Sequence, residues 1–167
     1  DEGIKTLPLS SLKLYDSLIT IESLPNLAPT LTSFRLKFCS PDFSSAITSL
    51  TNLTDLKYED NISDERASLP LTSLYLSRSS ITDDTLSIFS PLRSLDLNSA
   101  PVLNGQSLKD LPFLTSLRMR AFCSIGVWIM SVLTNLQSLN VLGHPQITNE
   151  TISNLWIWWK ERENTGL

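Results

Sequence analysis

The residue types that most often carry catalysis or bind metals are sparse in this chain. Its 167 residues include one histidine, His144, and two cysteines, Cys39 and Cys123, which do not form a CxxC pair. A metal cluster or a Ser/His/Asp triad would therefore depend on His144 alone. The five glycines are scattered and form no phosphate-binding loop. We predict that the protein is not an enzyme and uses no metal or cofactor.

Adjacent carboxylates occur at Asp83 and Asp84, within the segment ITDDTLSIF. Negative charge is favourable at a helix N-terminus, so helix capping accounts for this pair without a catalytic role. The net charge of −4 gives no general attraction to nucleic acid or to an anionic membrane. No apolar run reaches the length of a membrane span. We therefore predict neither a nucleic-acid partner nor a membrane partner.

The elements that position the polar residues come from an internal repeat. A motif of the form LxxLxL, with other apolar residues allowed, recurs seven times at intervals of 18 to 22 residues. Its LxL portion alternates as a short strand with one apolar face does. One such unit cannot bury that face alone, so neighbouring units must stack. The motif occupies residues 9–14, 31–36, 53–58, 71–76, 92–97, 114–119 and 136–141.

With these motifs the chain resembles the leucine-rich repeat family over essentially its whole length. The segments ITDDTLSIF and HPQITNETISNL are most similar to the cysteine-containing and ribonuclease-inhibitor-like classes. The resemblance implies an α/β solenoid: a curved parallel β-sheet of about seven short strands on the concave face, with helices and loops on the convex face. The position eight residues after the first leucine of each motif is usually Cys or Asn in these classes. In this chain that position varies, so the repeats are irregular. It reads Ser17, Cys39, Asn61, Ser79, Ala100, Phe122 and His144.

The return segments between the strand motifs carry helix signals of unequal strength. ITDDTLSIF, LNGQSLKDL and ITNETISNL each place a Thr, Asp or Asn before an apolar pair, as a helix N-cap does. The first seven residues, DEGIKTL, align with NETISNL of the last repeat. This alignment favours a truncated first repeat within a longer chain, and the alternative is an N-terminal cap. The predicted organisation is one domain over 1–167, with a partial repeat or cap over 1–8, seven repeats over 9–155 and a helical cap over 152–167.

An aromatic segment near the C-terminus is the predicted cap. Ile152, Leu155, Trp156 and Trp159 fall on one helical face and would cover the open edge of the last repeat. The alternative is a ligand-binding aromatic cluster. Trp158 lies off that face and is a candidate outward contact.

The cysteines indicate the compartment. Cys39 and Cys123 lie four repeats apart, roughly 19 Å at about 4.8 Å per strand. A disulfide needs Cα atoms within about 7 Å, so the two cannot pair. The absence of a disulfide framework favours a reducing compartment. We predict a cytoplasmic protein, with the nucleus as the alternative, in which the N-x-S/T triplets have no role.

The repeat also predicts which side chains face away from the core. Cationic residues occupy outward positions on neighbouring strands, where like charges destabilise the sheet unless something offsets them. Aromatic residues lie among them, and arginine with aromatic residues is typical of interface anchors. The predicted partner-binding residues are Lys13, Tyr15, Arg35, Lys37, Phe38, Lys57, Tyr75, Arg78, Arg118 and Arg120.

An alternative explanation of this surface is internal neutralisation, in which nearby acids pair with the bases on a solvated face. The candidate acids are Asp16, Asp55, Glu59, Asp60 and Asp96.

The function that these patterns favour is a non-catalytic interaction module that binds a protein or peptide on its concave strand surface. One alternative is the substrate-recognition part of an F-box-type ubiquitin ligase receptor whose F-box lies outside this chain, since repeats with ITDxxL resemble those that follow an F-box. The other alternative is a structural spacer domain.

Overall fold

Seven short parallel strands form one sheet in the order of the chain. The computed structural model describes residues 8–15, 26, 28–37, 47–59, 69–120, 133–141, 143, 147–154, 157 and 160. The strands are β1 Ser11–Tyr15, β2 Ser33–Lys37, β3 Asp55–Glu59, β4 Ser73–Ser77, β5 Ser94–Asn98, β6 Ser116–Arg120 and β7 Ser138–Asn140.

Strands β1 to β6 each contain the LxL part of one repeat, and β7 contains all but its last residue, Val141. The register of the sheet is the register of the repeats. Leu74 of β4 aligns with Leu56 of β3 and with Leu95 of β5. Every neighbouring pair is parallel, so each return segment must bring the chain back to the same end of the sheet. The result is a parallel-strand solenoid, which confirms the predicted fold class.

The leucines of the motif build a continuous core. In the fourth repeat Leu71, Leu74 and Leu76 are each no more than 2% exposed. The two largest fully buried side chains, Tyr58 and Phe34, replace leucine in neighbouring repeats. Full burial of one such side chain contributes about 1.5–3 kcal/mol, and no single repeat could supply this environment alone.

A ladder of threonine hydroxyls supports the start of the strands. Thr32, Thr54 and Thr72 each donate Oγ1–H to a backbone carbonyl of the preceding repeat, at 3.1–3.2 Å. The same carbonyls accept two backbone N–H groups, for example those of Thr54 and Asp55 on Thr32 O. The small hydroxyl residues after the first leucine therefore link consecutive repeats rather than merely facing solvent.

Three return segments carry capping signals, and two of them form short α-helices as predicted. Helix α1 spans Asp83–Ser87, and Thr82 accepts a hydrogen bond from Thr85 N as its N-cap. Residues 149–154 are also helical, and there Thr148 and Thr151 exchange reciprocal N–H to Oγ1 bonds at 3.3 Å.

The third return departs from the prediction. It forms a 3₁₀ helix, η1, at Gln106–Asp110, with Gly105 in the left-handed conformation at its N-cap and no side-chain cap. Asn104 instead accepts from Gln106 N at 2.9 Å, which closes a turn ahead of the helix.

Asp83 connects the returns of two consecutive repeats. Its carboxylate accepts from Asn104 N at 2.9 Å, Ser107 N at 2.8 Å and Ser107 Oγ at 2.9 Å. Helix capping is therefore only part of the role of Asp83, because its carboxylate also joins α1 to the start of η1. The two helices pack against each other. Asp84, the neighbour of Asp83, remains exposed.

Residues 1–7 of the predicted N-terminal partial repeat lie outside the described residues, as do Leu155, Trp156, Trp158 and Trp159 of the predicted C-terminal cap. Ile152, on the predicted capping face, is 41% exposed. In the part of the chain that the structure describes, no helix has the length and apolarity to cross a membrane.

Candidate functional site

The outward side chains of the sheet form three rows that run across the strands. The central row is Lys13, Arg35, Lys57, Tyr75, Asp96, Arg118 and Asn140. On one side of it lies a row of serines with one aspartate, Asp55; on the other side lie Tyr15, Lys37, Glu59, Ser77, Asn98 and Arg120. We call these three rows together the strand face.

A depression of about 500 Å³ lies on the strand face and extends over β1 to β5. It is lined by residues of the central row and of the serine row, together with Phe34 and Leu74. The residues of the central row that line it are Lys13, Arg35, Lys57, Tyr75 and Asp96. The face is therefore concave at the place where the predicted basic residues are concentrated.

Glu59 is the centre of the first charged cluster. Its carboxylate lies 3.2 Å from Arg35 Nη2, 3.1 Å from Lys37 Nζ and 3.9 Å from Lys57 Nζ. The Glu59 side chain is 16% exposed, whereas each of the three cations is about a third exposed. One carboxylate thus offsets part of the repulsion among three cations on adjacent strands.

The pKa of Glu59 reports the balance of forces in this cluster. Partial desolvation alone would raise the pKa, but hydrogen bonds from Lys37 and Arg35, with the charges of Lys37 and Lys57, outweigh it. The net result is a pKa below the ordinary value for glutamate. Ionised Glu59 is therefore favoured in the folded state.

We expect Glu59→Gln to destabilise the fold by up to about 1 kcal/mol at neutral pH, as for other partly exposed ion pairs. A depressed pKa in the folded state stabilises the protein above the unfolded pKa, and this contribution is lost as the pH falls through the folded pKa. Urea unfolding measured from about pH 7 downwards should therefore show a difference that shrinks as Glu59 becomes protonated in acid. A difference that persists in acid would exclude the ion pairs as its cause.

Asp96 is the centre of the second cluster. Its Oδ2 lies 3.8 Å from Arg118 Nη1 and 3.9 Å from Arg120 Nη2, distances too long for hydrogen bonds. Desolvation raises the pKa of Asp96 above its ordinary value, because the charges of Arg120, Arg118 and Lys57 compensate only part of it. Asp96 Oδ1 is buried without a hydrogen-bond partner. This carboxylate is thus less well satisfied than Glu59.

Two tyrosines contact the cations of the first cluster. Lys57 Nζ lies 3.9 Å from the centroid of the Tyr75 ring, and Arg35 Cζ lies 5.6 Å from that of Tyr15. Both distances are within the range of cation–π attraction. Tyr75 separates the two charged clusters in the central row, and Tyr15 is 46% exposed at the edge.

The other predicted residues have different positions. Lys13 is exposed in the central row, beside Arg35. Arg78 follows β4 in the left-handed conformation, with φ of 56°, so it stands beyond the strand and does not line the depression. Phe38 lies outside the described residues.

Internal neutralisation therefore applies to part of the surface. Glu59 and Asp96 do pair with the neighbouring bases. Asp55 instead accepts from Ser33 Oγ at 3.0 Å, and Asp16 and Asp60 lie outside the described residues. The sequence pointed to both pairing acids but not to their unequal environments, which depend on how deeply each carboxylate is buried.

Within the described ranges, no group of three or more His, Cys, Asp or Glu side chains is arranged to hold a metal ion. Comparison of the chain with protein-family models and with curated proteins found no match.

Proposed function

We propose that this chain is a non-catalytic interaction module that binds a protein or peptide partner on the strand face. The repeats that display this face are proposed to be irregular leucine-rich repeats, closest to the cysteine-containing and ribonuclease-inhibitor-like classes. A cytoplasmic or nuclear location belongs to the same proposal.

One observation carries the proposal: the strand face concentrates positive charge in a chain that is acidic as a whole. The seven strands contain six cations and three carboxylates, an excess of three positive charges, whereas the whole chain has a net charge of −4. Adjacent like charges cost stability, and the two internal acids offset that cost only in part. A binding role explains why this arrangement exists in spite of its cost.

The composition of the depression supports the same function. Tyr75 and Arg35 line it, and tyrosine and arginine are, with tryptophan, the residue types enriched among residues that dominate binding energy. Both side chains are held by neighbours, Tyr75 by Lys57 and Arg35 by Glu59. Less conformational entropy is therefore lost when a partner binds.

The test is affinity capture from the native source with three forms of the protein. The wild-type chain is compared with a variant that carries Arg35→Glu and Lys57→Glu, and with a control that carries Lys109→Glu and Lys160→Glu. Both variants change the net charge equally, but Lys109 and Lys160 are exposed in helical segments outside the sheet. We expect the strand-face variant to lose partners that the wild type and the control retain.

Equal recovery of every partner by the strand-face variant would contradict the proposal. Circular dichroism and a thermal melt of each variant verify that the fold is intact, so a lost partner cannot be attributed to unfolding. Adding Lys37→Glu gives a stronger version of the same variant.

A further inference from the structure

We infer that the strand face accepts an extended acidic segment of a partner protein, about six residues long, which crosses the strands along the central row. This inference rests on the proposed function and specifies the chemistry of the partner.

The first reason is that the cations retain donor capacity. Glu59 Oε1 accepts from Arg35 Nη2, but the contact of Lys57 Nζ with the same oxygen is 3.9 Å long, beyond hydrogen-bond distance. Arg35 Nε is buried and has no hydrogen-bond partner. Of the described residues, none offers a carboxylate to Lys13 within ion-pair distance. Additional carboxylates on a ligand would satisfy these donors.

The second reason is geometric. Lys13, Arg35 and Lys57 occupy one register position on three consecutive strands, so neighbouring members stand about 4.8 Å apart. The depression continues to Asp96 on β5, four strand steps from β1, or roughly 19 Å. An extended peptide covers that distance in about six residues at about 3.3 Å each. The acidic side chains would lie over β1 to β3.

The end of the depression at β5 offers a hydrogen-bond acceptor, whereas the end at β1 to β3 offers donors. Asp96 Oδ1 is a buried acceptor without a partner, and a peptide N–H or a hydroxyl of the ligand would complete it. Acidic residues should therefore be confined to one end of the segment, with neutral or donor groups above Asp96. Tyr75, between the two ends, is half-buried and lines the depression, where an apolar ligand side chain would contact its ring.

A polynucleotide is a poorer match to the same surface. Its evenly spaced phosphates would meet Asp55, Glu59 and Asp96 among the cations, and the net charge of −4 repels a long polyanion. A short acidic peptide places its charges only where the cations are.

The experiment uses blocked hexapeptides titrated into the full chain and followed by NMR chemical shifts at low salt. The first probe is Glu-Glu-Glu-Ser-Leu-Ser; the matched probes replace the three glutamates with glutamine or with lysine. We expect the glutamate peptide to bind at least about 10-fold more tightly than either matched probe, and more weakly as salt screens the charges. Arg35→Gln with Lys57→Gln should weaken its binding at least about 5-fold, whereas Lys109→Gln with Lys160→Gln should not.

Glu59→Gln provides a test of opposite sign. Removal of the internal carboxylate releases three cations, so binding of the glutamate peptide should become about 3- to 5-fold tighter. A variant that had merely lost its fold would not show this gain.

Three results would overturn the inference: no preference for the glutamate peptide, no gain with Glu59→Gln, or tighter binding of an oligouridylate of equal charge. Each of these leaves the proposed function standing if captured partners still depend on Arg35 and Lys57. The proposed function fails separately, when partner capture does not respond to changes in the strand face.

Discussion

Replacing Leu97 with alanine is expected to lower the free energy of unfolding by about 2–5 kcal/mol. Leu97 is completely buried in β5, where it aligns with Leu76 of β4 and Met119 of β6. The close packing of three consecutive repeats leaves little room for the core to collapse around the missing atoms. Equilibrium denaturation in urea measures the loss.

Ser94→Ala is the matched control, because Ser94 lies on the opposite face of the same strand. Its effect should remain within about 0.5 kcal/mol. Equal effects of the two substitutions would show that the buried and outward faces of β5 are assigned incorrectly. The same assignment in the other six repeats would then also be wrong.

Asp83→Ala should cost about 2–3 kcal/mol, because hydrogen bonds to a charged group are stronger than neutral ones and three are lost together. Two of the donors are backbone N–H groups, of Asn104 and Ser107, that the Asp83 carboxylate joins to the preceding repeat. Urea denaturation gives the energy, and amide hydrogen exchange at Asn104 and Ser107 should accelerate.

Asp84→Ala separates this effect from the charge at the helix N-terminus. Asp84 is also in the first turn of α1, so its removal should cost only the helix-dipole contribution, about 0.3–1 kcal/mol. If Asp84→Ala cost as much as Asp83→Ala, the link between the two repeats would contribute nothing beyond capping.

The sheet could be predicted from the sequence almost residue by residue. A leucine such as Leu74 must lie on the face of its strand that points to the core. The alternation of apolar and polar residues around it then fixes which side chains of the strand are buried and which face outward. Because stacking repeats that pattern, the register of β3 with β4 follows even though their repeats start only 18 residues apart.

The returns were predicted less completely, because short helices depend on local competition. Thr82 and Thr148 cap as expected, since a hydroxyl at that position meets the free N–H groups of the first turn. Gly105 instead permits a left-handed turn, and η1 forms a 3₁₀ helix. The link from Asp83 to Ser107 joins residues 24 positions apart, which no local pattern contains.

For the candidate site, the sequence predicted the members but not their relations. Outward positions follow from alternation, so Arg35, Lys57 and Tyr75 were predictable as neighbours. Glu59 holds two cations at hydrogen-bond distance, whereas Asp96 lies farther from both of its arginines. This difference depends on side-chain conformations and on burial. Those quantities appear only once the strands are in place.

The most direct test of the binding role is site-specific photo-crosslinking. A benzoylphenylalanine introduced at Tyr75, in the depression, is compared with one at Lys109, on the exposed side of η1. With partners captured from the native source, we predict a crosslinked product from position 75 and none from position 109. Products of equal yield from both positions, or from position 109 alone, would contradict a partner on the strand face.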